Sequence, residues 1–224
     1  MTDKPRDPLT RERVLEGAVA LADEIGVDAL TMRKLAAALG VKPMTIYHHV
    51  DGKEEIIDGM VDLVFSEIDL PPTDHDWKSA IRERCLSARQ ALTRHRWAAP
   101  LMESRTSPGP ATMNHHDAVI GCLRRGGLSL QLTAHAYATI DAFLYGFALQ
   151  ETSLPFEGGT PAVQLDELAA GIVAAFPEGA YPSFLEFTVD HVLKPGYSFG
   201  ASFEFGLDLI LDGLERASVE GQVG

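Results

Sequence analysis

The sequence predicts an all-α fold: an N-terminal three-helix unit, a connecting fourth helix, and a larger helical domain behind it. Three observations predict it. Apolar residues recur at spacings of three and four along most of the 224 residues. Glycines and prolines fall between these segments as stops and starts. No alternating run of strand-like residues is long enough to need a sheet.

The first helix opens at Leu9-Thr10, where Thr10 can cap free amides and Leu9 can staple onto Val14. Val14, Ala18, Leu21, Ala22 and Ile25 form its inner face, and Gly26 supplies a left-handed stop. Thr31 caps a second helix through Leu39, ended by Gly40. Pro43 opens a short third helix running to about His49. Asp51 and Glu54 read as a capping box for the fourth, residues 52–68, with Ile56, Ile57, Met60, Val61, Val64 and Phe65 apolar. Pro71-Pro72 marks the predicted boundary, giving domains of 1–70 and 71–224. Beyond it, helices are expected at Trp77–Arg94, Ala111–Arg125, Ser129–Thr152, Ala162–Phe176, Ser183–Leu193 and Phe199–Ala217, with a short segment to Leu101 and loops at 106–110 and 153–161.

Composition narrows the function classes. An apolar fraction of 46% and a charged fraction of 23% are those of a soluble globular protein. No apolar run approaches the roughly 20 residues of a membrane helix, and Met1–Leu9 has no signal-like apolar core, so no membrane partner is expected and the expected compartment is cytoplasmic. Cys85 and Cys122 read as buried thiols. A net charge of −13 argues against indiscriminate nucleic-acid coating, although a local patch remains compatible with specific binding. Ala29–Val50 contains no acid beside Arg33, Lys34 and Lys42. Arg84–Ile140 is almost as poor in acids, so charge alone does not choose between them.

Spacing chooses. Residues 31–49 read as two short helices joined by a tight glycine turn, the geometry of a DNA-reading helix-turn-helix. Ala36 is small enough for the second helix to cross the first, and Leu35, Leu39, Val41 and Ile46 hold the pair. Lys42, Met44, Thr45, Tyr47, His48 and His49 face outward, with hydroxyl and imidazole groups suited to phosphates and base edges. Tyr47 and His49 also suit simple packing in a small helical domain.

These residues carry a resemblance. Thr31-x-Arg33-x-Leu35-Ala36, Gly40-Val41, and Tyr47-x-His49 followed by Lys53 resemble the DNA-binding domain of the tetracycline-repressor (TetR) family over about residues 9–68. Trp77, Leu92-x-x-His95-Arg96, Gly127-Leu-Ser129 and the Phe203–Glu215 segment resemble the C-terminal domain of its tetracycline-repressor branch. The resemblance implies that Arg33, Thr45, Tyr47, His48 and His49 touch DNA, that Lys53 grips a phosphate, and that Pro43 and Met44 add apolar contacts. It further implies a homodimer on palindromic double-stranded operator DNA, released by a small-molecule effector in the C-terminal domain, with no cofactor. Half-sites about one DNA turn apart, roughly 34 Å, make that register sensitive to a modest swing of the fourth helix. Candidate effector residues are Arg84, Ala88, Trp97, Leu101, Met102, Met113, His116, Ile120, Tyr137 and Phe143. Core packing explains the same residues equally well. Met102–Pro108 lacks the histidine with which tetracycline-binding relatives hold a metal-chelated drug, and the arginines of this region leave an acidic effector open. Candidate dimer residues are Leu132, Ala136, Thr139 and Phe147 on one helix, and Phe203, Leu207, Ile210 and Leu214 on the last, which a single-chain core would also use.

The alternatives are a helical ligand-binding or interaction protein without operator binding, and an enzyme. The one local cluster that suggests chemistry is His115-His116-Asp117, whose neighbouring side chains point about 100° apart on a helix, so neither a metal site nor catalysis is expected.

Overall fold

The computed structural model describes residues 8–154, 162–177 and 179–220. Among them every regular element is helical: α1 (Arg11–Ile25), α2 (Met32–Leu39), α3 (Pro43–Ile46), α4 (Lys53–Ser66), α5 (Trp77–Arg94), α6 (Ala99–Met102), α7 (Pro110–Arg125), α8 (Leu130–Ser153), α9 (Ala162–Ala174), α10 (Pro182–Phe187) and α11 (Ser202–Glu220). A π-turn, Thr188–Val192, continues α10, and a 3₁₀ turn, Phe199–Ala201, leads into α11. The loop expected at 153–161 lies mostly outside the described residues.

The N-terminal helices form as their caps dictate. Thr10 Oγ1 accepts from Arg13 N at 3.2 Å, and Thr31 Oγ1 from Lys34 N at 3.2 Å. Gly26 closes α1 with φ 79° and ψ 151°, a positive φ outside the left-handed helical region expected for it. On α1 the buried face is Val14, Leu15, Ala18 and Ala22; Leu21 and Ile25 sit half-buried, one step round from their expected place. The apolar set expected on α4 is buried throughout, and α4 packs on α1 and α7.

The start of α4 differs from the expected capping box. Gly52 is the cap residue and no side chain caps it. Glu55, one position beyond the expected Glu54, reaches back to accept from Asp51 N at 2.7 Å. That bond holds the Glu55 carboxyl below the usual range. Glu54 is drawn away to Arg105. Helix α4 also ends at Ser66, well before the prolines.

The chain forms two compact units. One runs to Leu149 and includes the chain from Ile210; the other is Gln150–Leu209. The first joins the three N-terminal helices to α5–α8 because α4 lies against both sets. Within it Lys78 pairs with Asp212 at 2.7 Å and Glu215 at 2.6 Å, tying the end of α11 to α5. Cys85 and Cys122 are buried free thiols, and burial pushes both up.

Candidate nucleic-acid interface and effector region

The helix-turn-helix is built around two fixed points. Gly40 has φ 69° and ψ 31°, a left-handed conformation that glycine adopts without cost, and its N–H bonds back to α2. Ile46, with no exposed surface, then pins α3 against Leu35 and Ala36, which are also buried. Helix α3 is shorter than expected, ending at Ile46, but turns continue: His48 N donates to Thr45 O, and both His49 N and Val50 N donate to Ile46 O. The reading segment is therefore one α-turn followed by a tighter spiral to Val50.

This spiral divides its residues cleanly. Met44 is 68% and Tyr47 46% exposed, and Arg33, Lys42, Pro43 and His48 are exposed with them. Thr45, His49 and Lys53 are half-buried at the rim. Among the described residues the side chains of Arg33, Lys42, Thr45, Tyr47, His48 and Lys53 make no hydrogen bond or ion pair within the chain. Tyr47 is displayed and not buried, and Lys42 of the same segment is exposed with it.

Three groups of polar contacts tie this unit to the helices behind it. Asp23, near the end of α1, accepts from Trp97 Nε1 at 2.7 Å and meets His95 Nδ1 at 2.9 Å. His95 Nε2 meets Glu67 at 3.1 Å, so one imidazole stands between carboxylates from either end of the unit. Burial raises Glu67, but Arg94 and His95 outweigh it and hold the carboxyl low. Arg105 donates to Asp58 at 2.5 Å and Glu54 at 2.9 Å on α4. Finally, Asp62 of α4 accepts from Thr112 N at 2.8 Å and Thr112 Oγ1 at 2.9 Å. The cap residue of α7 is Gly109, which has no side chain to offer, so a carboxylate from another helix closes the first turn. A Cβ at Gly109 would stand 2.3 Å from Asp62 Cγ, which is why glycine sits there.

The candidate effector residues separate into three groups. Met102 and His116 line a cavity of about 110 Å³ with Val61, Arg105 and Thr112. His116 Nδ1 bonds the Tyr137 hydroxyl, and the Phe65 ring of α4 lies 5.3 Å from His115 and 5.5 Å from His116. Arg84 is fully buried, its Nε donating to His115 Nε2 at 2.8 Å and its Nη1 to Asp141 Oδ1 at 3.2 Å. Ala88 is buried near it on α5, Leu101 is half-buried, and Phe143 stacks on Phe147 at 5.7 Å. Met113 and Ile120 are exposed, on the face of α7 opposite its buried Thr112, His115 and Val119. Trp97 is buried, but its indole N–H serves Asp23. His115 and His116 serve different partners, and no group of three metal-ligating side chains occurs among the described residues.

The expected dimer stripe needs correction. Ala136, Phe203 and Leu207 have no exposed surface, and Phe147 is 8% exposed, so their side chains are spent inside the single chain. Thr139 is exposed, and Leu132, Ile210 and Leu214 are half-buried. The large apolar residues that α11 displays are Phe205, Leu209 and Val219.

Comparison with known proteins settles the family. The model for bacterial regulatory proteins of the tetR family matches residues 14–60, and that for the tetracyclin repressor-like C-terminal domain matches 70–218. The chain belongs to the TetR family. It is 31% identical over 220 residues to the HTH-type transcriptional repressor DrrR1 of Streptomyces coeruleorubidus, covering 94% of this chain and 79% of that one. The class A tetracycline repressor of Escherichia coli is 32% identical over 206 residues, 91% and 89% of the two chains. Apo ActR of Streptomyces coelicolor superposes with a TM-score of 0.75 at 28% identity, over 96% and 99%. ActR in complex with actinorhodin gives 0.74 at 30% identity, over 95% and 99%. This protein is thus an all-helical TetR-family regulator whose relatives are transcriptional repressors.

Several residues that join the N-terminal helices to the rest of this TetR-family chain escape sequence reasoning. Asp23, Asp62, His95 and Arg105 are ordinary surface types by composition, and only the fold gives each its partner. Asp141 did carry a signal: it is an acid in the apolar middle of α8, and a buried acid demands a cation from elsewhere.

Proposed function

We propose that the protein binds a palindromic operator as a homodimer in the cytoplasm, represses transcription there, and releases the DNA when a small molecule occupies the interior beside α4. The observation that carries this reading is the double commitment of α4. It leads directly out of the reading segment, and Arg105 and Thr112 grip it from the side where Met102 and His116 line a cavity. At about 110 Å³ that cavity is smaller than the roughly 300–1,000 Å³ of drug-sized sites. An effector must displace α4 or the residues gripping it, and the same displacement moves the reading segment. A ligand that favours the displaced state shifts the population away from the DNA-binding one.

Support for a homodimer comes from unit Gln150–Leu209. Phe176, Tyr181, Phe184, Phe187, Phe205 and Leu209 are each more than a third exposed there, with the Phe176 ring edge-on to Tyr181 and Phe184, and exposed apolar side chains in such number support an interaction face.

Fluorescence anisotropy with the DNA upstream of the protein's own gene tests the reading. Binding is expected to weaken steeply with salt, because phosphates are neutralised. Tyr47→Ala and Lys53→Ala are each expected to lower affinity by about tenfold or more, a loss of roughly 1–3 kcal/mol. Unchanged binding in both variants removes the assigned reading segment from the mechanism, and no binding by the wild type favours the alternative of a helical ligand-binding protein without an operator.

A further inference from the structure

The buried guanidinium of Arg84 dictates which atoms of its neighbours remain available. A guanidinium carries donors and no acceptor, so His115 Nε2, which receives Arg84 Nε–H, must be the lone-pair nitrogen. Burial, with Arg84 and His116 beside it, pushes His115 down to about 3. The ring is therefore neutral and its proton is on Nδ1. Asp141 uses Oδ1 on Arg84, leaving Oδ2. Tyr145 stands one turn further along α8, and burial pushes its phenol up, so it is a neutral hydroxyl. His115 Nδ1, Asp141 Oδ2 and the Tyr145 hydroxyl are all buried and have no hydrogen-bond partner among the described residues. Buried polar atoms are paired in folded proteins almost without exception, so three around one guanidinium point to a guest. The trio lies behind the cavity already described and not on its lining: His116, the chain neighbour of His115, lines it, and Tyr137, bonded to His116, lies one turn before Asp141.

We infer that this trio recognises an uncharged effector, which presents a carbonyl oxygen to His115 Nδ1–H and a hydroxyl to Asp141 Oδ2, with the Tyr145 hydroxyl able to serve either group. The inference rests on the interior being the effector site. Charge balance gives it direction. Arg84 is neutralised by Asp141, His115 is neutral, and Arg105 is spent on Glu54 and Asp58. Glu103 at the cavity adds negative charge. A carboxylate ligand would meet Asp141 with no cation to spare.

The test uses the full chain and three matched probes: 4-(hydroxymethyl)benzophenone, its methyl ether, and benzophenone-4-carboxylate. Affinities come from calorimetry, and melting temperatures are taken with and without probe. The hydroxy-ketone is expected to bind at least about tenfold more tightly than either analogue. Tyr145→Phe removes a hydroxyl with no partner in the free protein. It is expected to keep or raise the melting temperature while weakening the hydroxy-ketone several-fold, a combination that a merely structural or water-bound hydroxyl would not produce. Asp141→Asn leaves Arg84 uncompensated and is expected to turn the preference towards the carboxylate; if that variant does not fold, Tyr145→Phe with the three probes decides. Tightest binding of the carboxylate by the wild type, binding of none of the probes, or full hydroxy-ketone affinity in Tyr145→Phe overturns the inference. Operator binding by the same wild-type preparation keeps the two readings apart: intact DNA binding with the wrong probe preference sinks only the effector chemistry.

Discussion

His115 is a histidine whose burial has a pH consequence with a fixed sign. In the unfolded chain its ring takes a proton below about 6.5; in the fold it does so only near 3. Between these values the unfolded state holds one proton more, so stability is complete above about pH 6.5 and drains away as pH falls towards 3. One such site contributes a slope of at most about 1.4 kcal/mol per pH unit. Melting temperatures between pH 7.5 and 4.5 are expected to fall, and His115→Gln is expected to flatten the fall; an unchanged slope would remove His115 from the acid response. Residues of this kind mark the limit of sequence reading. Tyr47 and Met44 were legible because their motif fixes their spacing and their exposure follows from Ile46 being the buried anchor. His115 was not, since nothing in His115-His116-Asp117 says which imidazole turns inward.

At the scale of helices, local rules held where a helix serves itself and failed where it serves another. Thr10 and Thr31 cap their own helices, and both are readable from the amino acids that follow. The start of α7 is not, because its first turn is closed by Asp62, 50 residues earlier in the chain. The dimer stripe failed for a related reason: periodicity finds an apolar face on α11 but does not say whether the same chain or a second one covers it. Gly109→Ala tests the borrowed cap. Its Cβ would press on Asp62, and the lost pair of hydrogen bonds is expected to cost about 1–3 kcal/mol, measured by denaturant unfolding. A change within about 0.5 kcal/mol would mean that α4 and α7 are not joined there. Asp23→Asn bears on the other tie. It weakens the contacts to His95 and Trp97 and is expected to loosen operator affinity more than it lowers the melting temperature, since it frees the reading unit without emptying the core.

The whole molecule carries a net charge of −13 and still presents an acid-free surface from Ala29 to Val50. Its bulk repels DNA and its reading segment does not, so affinity for random sequence is expected to be weak. In the proposed homodimer, two reading segments would recover it. Phe205→Glu with Leu209→Glu places charges on the exposed side of α11 and is expected to yield a monomer by sedimentation that has lost most operator affinity; an intact dimer would move the interface elsewhere. The borrowed cap of α7 has a last consequence. The backbone amide of Thr112 is shielded by a carboxylate that travels with the DNA-reading unit. If α4 swings away on effector binding, as proposed, that amide is expected to meet solvent. Deuterium uptake at this single position is then expected to rise with the proposed released state, in solution, without a label and without DNA.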